Sequence, residues 1–180
     1  MMMQTPFGNR FDLINPTIDQ IDSIEEIAFA LSGINRFAGA TSYTVAEHSL
    51  WISEQTSNNE LKLYALLHDA HEAYMGDIPS PVAEVIGKEE VRGLKERIQK
   101  VILDKFNIPY RDKSDPVMQW IENMDLISLL IEKRDLLINR HFKWNLEGFY
   151  DISNYETIVI ESDKRQVMGK FLKAFYATIS

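Results

Sequence analysis

The sequence predicts an all-α fold, a single bundle of six or seven helices, and three observations carry that expectation. Apolar residues recur at helical spacing through most of the chain. Helix-start signatures stand directly ahead of those stretches: Ser23 with Glu26, Thr44 with Glu47, Asp115 with Pro116, and Asp163. Alternating or β-branched runs are scarce, with residues 157–160 as the one short candidate for an extended piece.

In chain order, the first twenty residues read as loop, with Asn15-Pro16 as a turn signal. Ser23 and Glu26 form a capping-box pair, and Ile24, Ile27, Ala28 and Leu31 follow on one helical face. Gly33 ends that helix. A second box, Thr44 and Glu47, opens a helix to about Gln55. Residues 60–75 read as one continuous third helix, with Leu63, Leu66, Leu67 and Ala70 as its apolar stripe, stopped by Gly76. Pro79-Ser80-Pro81 bends the chain. A short helix over 82–86 and a longer one over 89–106 follow, the latter with Leu94, Ile98, Val101 and Ile102 inward. Residues 107–114 are loop. An Asp N-cap followed by proline at the first helical position starts a helix from 115 to about 138. Asp163 caps a last helix carrying Val167, Phe171, Leu172 and Phe175. No repeat or composition shift divides the chain. One domain over 1–180 is expected, its core at about 20–140 and residues 141–180 packed on it.

Composition narrows the function. The chain has 180 residues, 45% hydrophobic and 26% charged, with a formal net charge of −8. That balance suits a folded globular chain and argues against a binder of nucleic-acid polymer, which needs clustered Lys and Arg. There is no cysteine, so disulfides, thiolate nucleophiles and Cys-held metals are excluded, and any metal needs N and O ligands. Residues 1–10 lack a signal-peptide core, and no apolar run is long enough to span a bilayer. A soluble cytoplasmic protein without membrane contact is expected.

Chemistry concentrates at a few helical positions. His68 and Asp69 are adjacent in the third helix, pointing about 100° apart, which still lets both reach an ion beside the helix. Glu72, at i+4 from His68 and i+3 from Asp69, shares their side. His48 in the second helix and Asp125 in the helix after Pro116 both sit among apolar residues. A mid-helix Asp in such surroundings is costly unless paired or metal-bound. Two His and two Asp on three inward faces suit one divalent transition metal, Mn, Co, Fe, Zn or Ni, with positions left open for water. Water there would be acidified toward neutral pH. No Gly-rich phosphate loop and no His-Glu-x-x-His motif is present, so neither P-loop nor zincin chemistry is supported.

The order His48 in TVAEHS, His68-Asp69 in ALLHDAHEAYMGDIPSP and Asp125 in ENMDLISLLIEKRDLL resembles the HD-domain phosphohydrolases. With SGINRFAG at 32–39, it is similar to small bacterial and phage members related to the 5′-deoxynucleotidases. The resemblance covers roughly residues 11–137. It implies a single HD domain and metal ligands at His48, His68, Asp69 and Asp125. It implies a proton-handling carboxylate at Glu72, a second acid beside the phosphate at Asp77, and a phosphate-binding Arg36. It also implies an aromatic wall at Phe37, where relatives often have Trp, that packs on the sugar and rejects a 2′-hydroxyl. Many relatives carry a Lys shortly after Pro-x-Pro; this chain has Ala83 there, with Lys88 as the substitute. The resemblance assigns no role to His71, for which a place behind the ligands and a solvent-facing place are both open.

Three readings follow. The first is a phosphohydrolase releasing phosphate from deoxynucleoside 5′-monophosphates. A close variant releases triphosphate from a dNTP such as dATP, with Mg as a second ion and Lys88, Arg92, Lys95 and Arg97 as cations for the phosphate tail. The net acidity favours the monophosphate. The second is a non-catalytic helical module that keeps the metal for folding, against which Glu72, Asp77 and Arg36 stand. The third, a cyclic-nucleotide phosphodiesterase, needs extra ligand histidines, for which His71 and His141 are the candidates. Relatives commonly self-associate, so a homo-oligomer is expected. The aromatic-rich stretch 142–150 is either a contact surface or a lid on the core.

Overall fold

The structure is a computed structural model that describes residues 1–138 and 141–179. It is mostly helical. The α-helices, in chain order, are α1 (Ile24–Leu31), α2 (Val45–Glu54), α3 (Asn59–Leu67), α4 (Glu72–Met75), α5 (Ser80–Ile86), α6 (Lys88–Lys105), α7 (Pro116–Leu136) and α8 (Lys164–Ile179). Counting α3 and α4 as one interrupted helix leaves seven among the described residues, in line with the expected number. No helix among the described residues is long and apolar enough to cross a membrane.

The helix starts follow their sequence signals. The Thr44 hydroxyl accepts the Glu47 N–H while the Glu47 carboxylate accepts the Thr44 N–H, so the capping box is complete. The Asp115 carboxylate caps α7, with Pro116 in its first turn. The Asp163 carboxylate accepts the Arg165 N–H at the start of α8. Gly76 ends α4 at φ 77°, a conformation that a residue with a Cβ rarely adopts.

Four expectations need correction. The N-terminus is not all loop: β1 (Met2–Gln4) and β2 (Arg10–Asp12) pair antiparallel, with Met3 opposite Phe11. Three-residue strands are too short to show an alternating pattern. The hairpin exists because Phe11 is fully buried and stacks on Tyr74 of α4, ring centroids 4.2 Å apart. At Ser23 the cap forms, but the Glu26 side chain turns to the hairpin and accepts from Thr5 Oγ1 and Phe7 N. The third helix is broken between Leu67 and Glu72. Residues 157–160 belong to no strand; Ile158 N donates instead to Asp135 and Glu161 N to Glu47.

One core joins these pieces. Phe11, Ile27, Leu31, Ile52, Leu66, Ile98, Ile102 and Phe171 are fully buried in it. α2 packs along α3, α8 lies across both and on α1, and α7 packs on α2 and α3. Val167, Phe171 and Phe175 of α8 enter this same core rather than covering it from outside. The mutual packing of α2, α3 and α7 sets the site, because each brings one part of the ligand cluster.

Candidate metal centre

His48 projects from α2, His68 caps the end of α3, Asp69 follows it in the turn, and Asp125 sits in the middle of α7. Their donor atoms converge. His48 Nε2 lies 3.2 Å from His68 Nε2, 3.2 Å from Asp125 Oδ1 and 3.7 Å from Asp69 Oδ2. His68 Nε2 lies 3.2 Å from Asp69 Oδ2. Donors held about 2.0–2.2 Å from one ion, at right or tetrahedral angles, stand about 2.8–3.6 Å apart. His48, His68 and Asp125 thus form one group that could hold an ion, with Asp69 Oδ2 at its edge, 3.2 Å from His68 Nε2 and grouped with His71 and Glu72.

The tautomers sharpen this fit. His68 Nδ1 is 2.7 Å from the Ala65 carbonyl, which can only accept, so Nδ1 carries the proton. His48 Nδ1 is 2.6 Å from Glu132 Oε1, again a proton acceptor. The two Nε2 atoms then face each other at 3.2 Å, with two carboxylates alongside. N and O donors gathered this closely call for a positive charge among them, a shared proton or a bound cation. The local field says the same of His48. Burial and Arg36 push its pKa down, but Glu132 and the hydrogen bonds to Asp125 and Glu132 lift it to about 9. Asp69 and Asp125 are held below the ordinary carboxylate value against the opposing effect of burial, chiefly by His68 and His48 respectively. The described residues include groups of His, Asp and Glu that could hold a metal ion.

Glu132 was not among the sequence candidates and is a principal brace of the site. It is fully buried in α7, receives His48 Nδ1–H on one oxygen and Arg36 Nε–H at 3.0 Å on the other. A histidine that binds metal characteristically donates its other N–H to such a group. Ser128 lies between them, its hydroxyl donating to the Asp125 carbonyl and standing 3.3 Å from His48 Nδ1. The signal was present in the sequence: Ser128 and Glu132 are i+3 and i+7 from Asp125, one and two turns along the same face.

Arg36 is buried, and beyond Glu132 its Nη1 lies 3.9 Å from Asp69 Oδ2. Phe37 and Ala38 both have left-handed backbone, φ 56° and 52°, a conformation that costs residues other than glycine about 1–3 kcal/mol. This turn sets the Phe37 ring 5.7 Å from the Arg36 guanidinium. On its other side Phe37 meets Trp144, ring centroids 6.3 Å apart. Lys133 Nζ stands over Trp144 and pairs with Glu147. Trp144 thus packs beside Phe37; its separation of 107 positions from Phe37 hid it from sequence spacing. Its neighbours Phe142 and Phe149 are exposed.

Glu72 is buried, with Oε1 3.6 Å from Lys95 Nζ. Burial first, then the charges of Asp69 and Asp77, push its pKa up to about 9. Burial also raises Asp77, with Arg36 pulling the other way. Lys88 does not join the site: its side chain is 67% exposed and pairs with Glu84 one turn away. Arg92 likewise pairs with Glu89 and Glu96 at the surface. Of the sequence's candidate cations, Lys95 is the one placed against a site carboxylate among the described residues. His71 does not face solvent: it is 6% exposed and bonded to Gln99 of α6.

No protein-family model matches the chain. It is 35% identical over 156 residues to the uncharacterized protein YfdR of Escherichia coli, an alignment spanning 84% of this chain and 82% of that protein. It is 34% identical over 139 residues to the uncharacterized protein RCAP_rcc00048 of Rhodobacter capsulatus, spanning 72% and 69%. The chain belongs to the protein family that contains YfdR.

Proposed function

We propose that this bundle is an HD domain and that its His48/His68/Asp69/Asp125 cluster holds one divalent transition metal for hydrolysis of deoxynucleoside 5′-monophosphates. One observation carries the metal assignment: two imidazole Nε2 atoms stand 3.2 Å apart beside two carboxylates. An ion held there would supply Lewis acidity to water and to a phosphate oxygen.

The chain's own residues account for the rest. Arg36 offers the phosphate the N–H groups that Glu132 leaves unused, in a fork suited to phosphate oxygens. Glu72, protonated at neutral pH by its surroundings, is suited to give a proton to the leaving 5′-oxygen. Asp77 is the second acid, close enough to Arg36 and Asp69 to respond to their charges. Phe37, fixed by its strained turn and backed by Trp144, is the flat wall against the sugar. Lys95 keeps Glu72 in place and offers the site a cation. The surface pairing of Lys88 and Arg92 supports the monophosphate over a dNTP tail.

The test is a product-resolved screen of dNMPs, dNTPs and the matching ribonucleotides with Mn²⁺, Co²⁺ and Mg²⁺. Phosphate released from dNMPs supports the proposal. Inorganic triphosphate as product replaces it with the dNTP reaction. Bound metal without turnover of any nucleotide supports the non-catalytic module instead.

A further inference from the structure

The break between α3 and α4 has a specific cause. In a continuous α-helix the His71 N–H would donate to the Leu67 carbonyl four residues back. Here the Gln99 carboxamide, reaching over from α6, occupies that rung. Its Nε2 donates to Leu67 O at 2.6 Å, and its Oε1 accepts the His71 backbone N–H at 3.2 Å. The same Oε1 accepts from His71 Nδ1, also at 3.2 Å. A side chain inserted into the i→i−4 ladder is a recognised origin of helix breaks.

The rewiring covers the ligand positions. Ala70 N bonds Leu67 O at 3.0 Å, Glu72 N bonds Asp69 O at 3.0 Å, and Tyr74 N bonds His71 O at 3.1 Å, all at three-residue spacing. Two rungs earlier, Ala65 O, which a continued helix would give to Asp69 N–H, accepts His68 Nδ1–H. The turn that presents His68 and Asp69 is therefore bounded by two carbonyls, one holding the His68 ring and the other holding Gln99.

We propose that Gln99 is a positioning residue for the metal centre: standing in for the His71–Leu67 backbone bond, it holds the turn that aims His68 and Asp69 at one ion. The proposal rests on the reading of the cluster as a metal site. Without the carboxamide, Leu67 O and His71 N–H are left to bond each other. That restores a regular helical turn and narrows the angle between the His68 and Asp69 directions from the ~120° of three-residue turns to ~100°, shifting their common aim. His71 is explained at the same time. It is buried because its ring and backbone are the two handles that Gln99 grips. Lys95, one turn before Gln99 on α6, meets Glu72, so the same helix supports both halves of the site.

The experiment is a Co²⁺ titration of the full chain, as wild type, Gln99→Leu and Gln99→Asn, read by visible absorption, with helix content and Tm measured alongside. Leu keeps the volume and makes no hydrogen bond. Asn keeps the amide but is one methylene too short to reach both partners, and it serves the comparison should Leu prevent folding. The expected result is that the wild type binds Co²⁺, while both variants stay helical and bind about 10–100-fold more weakly. Their absorption bands at saturation should also differ from wild type, because the ligand directions have moved. Variants with wild-type affinity and band shape, even at a lowered Tm, would overturn the proposal and leave the metal centre standing. A wild type that binds no Co²⁺ overturns the metal reading and this proposal with it.

Discussion

Replacing Glu132 by Gln removes one charge from the centre of the molecule without changing its volume. Glu132 is fully buried and its two oxygens serve two donors, His48 Nδ1–H at 2.6 Å and Arg36 Nε–H at 3.0 Å. Gln has one acceptor, so one donor is left facing an amide N–H. Breaking a buried charge pair from one side costs about 3–5 kcal/mol. Since one hydrogen bond survives, the low end applies, about 3 kcal/mol, or a fall in Tm of about 6–12 °C for a chain of this size. The metal should respond separately. An imidazole without its carboxylate is a weaker and less fixed ligand, and metal affinity should fall about 10–100-fold, equal to about 1.4–2.7 kcal/mol. Arg36, released from Glu132, would also approach Asp69, now 3.9 Å away, and compete with the ion. Thermal melts of the metal-free protein and calorimetric titration with Mn²⁺ read the two effects. A variant that melts with the wild type and binds Mn²⁺ within about twofold of it would refute the view that Glu132 braces both residues.

Other residues give sharper single readouts. Asp69→Ala should abolish metal binding, whereas Glu72→Gln should keep the metal and lower turnover by about 100-fold or more; a fully active Glu72→Gln would remove the proton role. Phe37→Ala should bring the kcat/KM for ribonucleotides close to that for deoxynucleotides, and Trp144→Ala should move the same ratio in the same direction, less strongly. Thr44→Ala should lower stability by about 1–2 kcal/mol in denaturant melts, because it deletes the α2 cap. Glu25 accepts a 2.6 Å hydrogen bond from the Tyr176 hydroxyl, which holds its carboxyl below the ordinary 4.5. Such a bond stabilises the fold above about pH 4.5 and is lost as the pH falls through the lower folded value. Tyr176→Phe should therefore lose stability at neutral pH and converge with the wild type in acid, measured by urea melts across that range.

The fold was legible where local chemistry decides it. Thr44 with Glu47, Asp115 with Pro116, Asp163 and Gly76 mark helix ends through bonds made within a few residues, and each acts as its sequence implies. The candidate cluster was legible because His48 and Asp125 are expensive residues to place among apolar neighbours, and because the His68-Asp69 pair resembles the HD pattern. What escaped was set by distant partners. The break after Leu67 depends on Gln99, 32 positions away. The hairpin depends on Phe11 meeting Tyr74. Glu26 looks like the second half of a capping box until Thr5 offers it a better bond. Lys88 looked like a site cation because it follows Pro-x-Pro, yet Glu84 one turn away holds it at the surface.

The most direct test of the account is to locate the ion. Crystals of the protein grown with Mn²⁺, with data collected at the manganese absorption edge, should show one anomalous peak per chain. That peak should lie about 2.0–2.3 Å from His48 Nε2, His68 Nε2, Asp69 Oδ2 and Asp125 Oδ1. An empty cluster at saturating Mn²⁺, or an ion held by other residues while these four keep to themselves, would contradict it.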